Sequence, residues 1–109
     1  MAMDRVLSMI GLSAKAGKVK SGEFAVEQAV KGGKAYMVIV ACDASDNSKK
    51  SYRDMCEFYE VPIYFYGNKE DLGNCCGKEF RASVAIMDEN LAKAVADKIQ
   101  LSADMMEDK

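Results

Sequence analysis

Six consecutive apolar residues, Tyr36-Met37-Val38-Ile39-Val40-Ala41, constrain the fold more than any other stretch of the chain. They are far fewer than the ~20 needed to cross a membrane as a helix. The run reads instead as a central strand covered on both faces, which requires helices on both sides of a sheet. Nothing else in the 109 residues approaches a membrane span. A chain of this length is expected to form one domain, burying about two thirds of the surface its unfolded form exposes. Met1-Ala2-Met3-Asp4-Arg5 pairs an acid with its base and leads into no long apolar core, so it does not read as a signal peptide. A cytoplasmic protein is expected.

Helical and strand periods alternate along the rest of the chain. Met3, Val6, Leu7, Ile10 and Ala14 form one stripe of a first helix, with Gly17 placed for a left-handed cap. Val19 to Ser21 suits a short edge strand. Ser21 or Gly22 then opens a second helix that buries Ala25, Val26, Ala29 and Val30 and stops at Gly32-Gly33. After the central strand and a polar loop from Asp43 to Asn47, a third helix is expected near Ser48, burying Tyr52, Met55, Cys56 and Tyr59. The run Val61 to Tyr66 is a strand with Pro62 tolerated at its start. Asn68 can cap a short helix through Leu72, Cys75 and Cys76, closed by Gly77. A last strand, Ser83 to Met87, precedes a helix capped by Asp88 with Leu91, Ala92, Val95, Ala96 and Ile99 inside. The acidic stretch 102–109 is expected to fray. Alternation of this kind implies a mainly parallel sheet between two helix layers. The eight methionines are read as core filler.

Two features restrict the chemistry. The chain has no histidine, hence no Ser-His or Cys-His nucleophile pair and no imidazole metal site. Its four cysteines, Cys42, Cys56, Cys75 and Cys76, lack CxxC spacing and read as buried thiols rather than zinc ligands. The net charge of −2 conceals an asymmetry. Residues 1–53 hold nine Lys/Arg against five Asp/Glu, whereas 54–109 hold six against twelve. Exposed charges farther apart than ~8 Å are largely screened from one another, so a basic patch can act locally.

The most informative segment is Lys15-Ala16-Gly17-Lys18-Val19-Lys20-Ser21-Gly22-Glu23. Its lysines lead into a helix N-terminus, where free N–H groups and the helix dipole favour anions. Gly22 lets a backbone approach closely. Lys31 and Lys34 flank the Gly32-Gly33 stop in the same half. The segment fits a phosphate or RNA-backbone cradle; a solvated loop with a glycine turn would carry the same residues. It lacks the Lys-[Ser/Thr] of a P-loop, and no GxGxxG occurs. Asp43, just past the central strand, would need an acidic cluster to serve as a phospho-acceptor, and is read as a loop or helix cap. Cys42 lacks a histidine partner and is read as a core or rim thiol. The loop Lys78-Glu79-Phe80-Arg81-Ala82-Ser83 sets an aromatic beside an arginine, a pair that can stack on bases and bind phosphate; a core Phe80 and a solvated Arg81 is the alternative.

Three stretches together carry a family likeness: Ala16-Gly17-Lys18 through Ser21-Gly22; Ala29 through Asp43; and Cys56 through Val61-Pro62, followed by Lys69-Glu70-Asp71-Leu72-Gly73 and Gly77. Over about residues 4–100 the chain resembles the L-seven-Ae and L-thirty-e family of ribosomal proteins, whose members bind kink-turn RNA, and above all its small bacterial members. The resemblance implies an α/β fold, a three-layer α/β/α sandwich with a mixed, roughly four-stranded sheet. One such RNA-binding domain over 1–101 with a frayed acidic tail over 102–109 is expected. It also implies an RNA surface made by the start of the second helix and the loop before the last strand. By position, Gly22 matches the glycine where backbone meets RNA, Lys20 matches a basic residue before it, and Phe80, Arg81 and Ala82 lie in the loop that packs on bulged nucleotides. Phe24 and Ala25 depart from the family's Asn or Lys followed by Glu or Gln, which read guanine edges in sheared G·A pairs. Gln28 stands where lysine is common. Loss of a bidentate base contact costs ~1–3 kcal/mol of discrimination, which backbone and shape recognition survive better.

The expected function is therefore non-catalytic binding of a kink-turn-like or bulged RNA, ribosomal or regulatory, in association with the ribosome. Lys18, Lys20, Gly22, Lys31 and Lys34 would meet phosphates, Glu23 would read a base, Phe80 and Arg81 would cover the bulge, and Phe24 and Ala82 complete the expected RNA-binding set. No cofactor, metal, membrane or DNA partner is expected. The rival readings are a small-ligand or phospho-acceptor domain of receiver or flavodoxin type, and a protein-interaction module on this fold that has lost RNA binding.

Overall fold

The computed structural model describes the backbone of residues 4–107 and the side chains of 4–101. Nine elements follow one another: α1 (Arg5–Lys15), β1 (Val19–Ser21), α2 (Glu23–Lys31), β2 (Met37–Val40), α3 (Asp46–Phe58), β3 (Ile63–Phe65), α4 (Lys69–Cys75), β4 (Ser83–Ile86) and α5 (Glu89–Glu107). The strands form one sheet in the order β1-β4-β2-β3. Residues of β2 alternate between two cores. Met37, Ile39 and Ala41 face Val6 and Ile10 of α1, Leu72 of α4, and Ala92 and Val95 of α5. Val38 and Val40 face Val26, Ala29 and Val30 of α2, and Tyr52 and Cys56 of α3. The result is the three-layer α/β/α sandwich. All four β2 residues are buried, and each such Val or Ile side chain contributes ~1.5–3 kcal/mol by leaving water.

The sheet is mixed rather than mainly parallel. Only β2 and β3 run parallel, while β4 runs against both β1 and β2. The reason lies in the short α4 connection. Phe65 at the end of β3 and Ser83 at the start of β4 both pair with Val40. The chain thus re-enters the sheet at the end where it left, and must run back. Periodicity reports faces, not strand direction.

Local chemistry sets the boundaries. The Gly17 N–H donates to Ala14 O and the Lys18 N–H to Ser13 O, a Schellman closure of α1 in which Gly17 takes φ 74°. Helix α3 starts at Asp46, earlier than the expected Ser48, because Ser45 Oγ accepts the Ser48 N–H at 3.1 Å. Tyr59, expected inside, lies at the C-cap and is 40% exposed. Ser13, by contrast, is buried in α1 with its hydroxyl on Met9 O at 2.8 Å. Helix α5 is continuous to Glu107, so the backbone expected to fray from 102 onward is helical that far. Met3, Asp108 and Lys109 lie outside the described residues.

Candidate nucleic-acid interface

Four helices are capped by their own side chains. Asp4, Ser45, Asn68 and Asp88 accept N–H bonds at the starts of α1, α3, α4 and α5. Helix α2 starts at Gly22, which has no side chain to close the first turn. Gly22 sits at φ 95°, ψ 157°, a backbone region essentially restricted to glycine. Its own N–H is spent on Ser83 O at 3.1 Å, and the first intrahelical bond is Val26 N–H to Gly22 O. The N–H groups between them point out of the helix end, where the dipole is positive.

The loop before β4 is held against this helix start. A Cβ added at Gly22 would meet Arg81 Cδ and Nε at 3.7 Å. Arg81 Nε donates to Ser21 Oγ at 3.3 Å, and one terminal nitrogen donates to Phe80 O at 2.7 Å. The two sequence-distant clusters therefore touch. Phe80 beside them is 61% exposed, so its ring is not core. Ala82 is half-buried beneath, its carbonyl accepting the Ala41 N–H at 2.8 Å. Two devices position the loop. Gly73 presses on it so closely that a Cβ there would lie 2.4 Å from Glu79 O. Asp43 Oδ1 accepts the Lys69 N–H at 2.9 Å, and Lys69 O accepts the Arg81 N–H at 3.0 Å. Asp43 is a cap, as expected, but of α4 rather than of its own loop or the next helix.

The remaining candidates fall into separate groups. Lys20, Phe24 and Lys34 line one groove between α2 and β1, with Gln28 and Met87. Glu23 and Lys31 line another groove on the far flank of α2, against Ser48 and Tyr52 of α3. There Lys31 Nζ is 2.6 Å from Glu27 Oε2, and the Glu27 hydrogen bond raises the lysine's pKa. Lys18 lies at the other end of β1, its carbonyl held by the Met87 N–H at 2.7 Å. Gly22 thus meets Arg81, with Phe80 beside it, while Lys20, Phe24 and Lys34 share a neighbouring groove and Lys31 and Lys18 lie apart from both.

Several contributors escape a reading by residue type. Ser21 orients Arg81. Ser83 Oγ, fully buried, donates to Tyr52 O–H at 2.8 Å and so fixes the strand that holds Gly22; burial raises the Tyr52 pKa. The i,i+4 spacing of Glu27 and Lys31 was a legible sign of their pairing, and a glycine inside the predicted short helix was a sign of close backbone approach at Gly73. Cys56, Cys75 and Cys76 are not activated nucleophiles. Burial pushes Cys56 and Cys75 up to about 11. It also raises Cys76, opposed by Arg81, Ser21 and Lys78. Cys42 is exposed at the rim. Among the described residues no three His, Cys, Asp or Glu side chains are grouped to hold a metal, and no helix is long and apolar enough to cross a membrane.

Comparison with known proteins places this geometry. The chain is 37% identical over 84 residues to the RNA-binding protein YlxQ of Bacillus subtilis strain 168, covering 77% of this chain and 84% of that one. It is 33% identical over 96 residues to the RNA-binding protein YlxQ of Enterococcus faecium, covering 88% and 92%. Its fold superposes with a TM-score of 0.73 on the Giardia lamblia 15.5kD RNA binding protein, at 27% identity and covering 92% and 89% of the two chains. The family model described as ribosomal protein L7Ae/L30e/S12e/Gadd45 matches residues 4–96, and with that match spanning both the α2 start and the β4 loop, the chain belongs to this family.

Proposed function

We propose that the protein is a non-catalytic RNA-binding protein that docks a kinked or bulged RNA on the ledge formed by Gly22, Arg81 and Phe80. The observation that carries this reading is the contact between the uncapped, glycine-opened start of α2 and Arg81. Each part has a defined use. The helix N–H groups and dipole receive a phosphate at close range because Gly22 presents no Cβ. The Arg81 guanidinium, already oriented by Ser21 and Phe80 O, offers its remaining donors to a second phosphate or a base edge. The open Phe80 ring is a stacking surface for a base turned out of its helix. A straight A-form duplex presents no such base, so selectivity for bent or bulged RNA follows from shape. The names of the two YlxQ relatives support RNA as the ligand, and the family's ribosomal description supports work on or near the ribosome, in the cytoplasm.

The deciding experiment is a gel shift against a kink-turn duplex and a matched straight duplex at moderate salt. Tighter binding of the kink-turn is expected. Equal and negligible affinity for both overturns the proposal.

A further inference from the structure

The groove between α2 and β1 has a composition unlike the rest of the surface. It encloses about 440 Å³ and runs from Phe24, near the start of α2, to Lys34, just past its end. At 1.5 Å per helical residue that is roughly 15 Å. Phe24 is the second residue of α2, yet its ring is 75% exposed and belongs to neither core. Lys20 on the free edge of β1, Gln28 and Lys34 share the groove with it. Neither lysine is in a salt bridge among the described residues, and the described lining contains no carboxylate. Val30 O accepts the Gly33 N–H and Ala29 O the Lys34 N–H, so the turn after α2 holds Lys34 back over the helix end.

We infer that this groove takes a short unpaired RNA segment continuing from the bulge seated at Gly22 and Arg81, with a base stacked on Phe24 and phosphates held by Lys20 and Lys34. The inference rests on the RNA-binding reading above and extends it. The occupant follows from the chemistry. Two unanswered ammonium groups without a carboxylate call for a polyanion. An exposed phenyl in the same groove offers a stacking surface to a base whose π-face is free, and every base has such a face, so recognition is tolerant of sequence. Phe24 lies in the first turn of the helix that Gly22 opens, so one strand can pass from the ledge into the groove.

The test uses fluorescence anisotropy with a labelled bulged RNA stem, with and without six unpaired uridines extending from the bulge. The readout is the ratio of the two affinities. For the wild-type chain the extension is expected to tighten binding by about tenfold, the scale of one stacked base. Phe24→Ala should bring the ratio to near one and Phe24→Tyr should keep it. The double variant Lys20→Ala/Lys34→Ala should lower the salt slope for the extended RNA by about 0.7 per lysine. A wild-type ratio of one, with the stem still bound, overturns the inference and leaves the groove to a protein partner. So does a Phe24→Ala variant that keeps the full ratio. Failure of the wild type to bind either RNA overturns the docking ledge itself.

Discussion

Helix α2 has two unlike flanks. Toward β1, Lys20 and Lys34 stand beside an exposed phenyl with no carboxylate among the described lining residues. Toward α3, Lys31 stands among Glu23, Glu27 and the Tyr52 hydroxyl, with Glu27 at 2.6 Å. Both flanks carry lysine, and only one is electropositive. The lesson is that a basic surface is made by leaving cations unanswered, not by their number. It also explains how a chain of net charge −2 can present a polyanion site.

The largest test of this asymmetry is Gly22→Asp, at the head of both flanks. Like charges set against each other at an interface cost several kcal/mol, so RNA affinity should fall by about a hundredfold or more. The forced backbone conformation should also remove about 1–3 kcal/mol of stability in a urea melt. Unchanged affinity would remove the helix start from the site. Next is Gly73→Ala, which touches neither flank but drives a methyl into Glu79 O. Overpacking of this kind costs about 1–3 kcal/mol, and the displaced loop should weaken RNA binding, while a Gly11→Ala control, whose methyl would meet only Cys75 O at 3.7 Å, does so less. Lys20→Ala should weaken binding of an RNA with an unpaired extension whatever its base sequence, and lower its salt slope by about 0.7. The smallest effect is expected on the α3 flank. Glu27→Gln releases Lys31 from an exposed ion pair and should tighten RNA binding by at most about twofold. A tenfold gain there would mean that the two flanks differ only in their carboxylates.

Much of this molecule was legible in its sequence. The apolar run at 36–41 required the sandwich, and Asn68 and Asp88 cap α4 and α5 as read. The two halves of the site, Gly22 and Arg81, were singled out and do meet. What could not be read was what depends on three dimensions. Periodicity alone suggested a mainly parallel sheet, because alternating helices and strands leave no mark of which end a connection returns to; the mixed sheet followed only from the family likeness. The grouping of the lysines was invisible, since Lys31 and Lys34 are three residues apart and yet line different flanks of α2. The Tyr52–Ser83 and Asp43–Lys69 bonds join residues 31 and 26 positions apart, separations at which residue type alone names no partner.

Strand β4 leaves one further consequence. Gly22 hangs from Ser83 O and Ala41, just past β2, from Ala82 O, so the start of α2 and the end of β2 are both tied to the head of a single reversed strand inside the sheet. The amide protons of Gly22 and Ala41 should exchange with solvent only when that end of the central sheet opens.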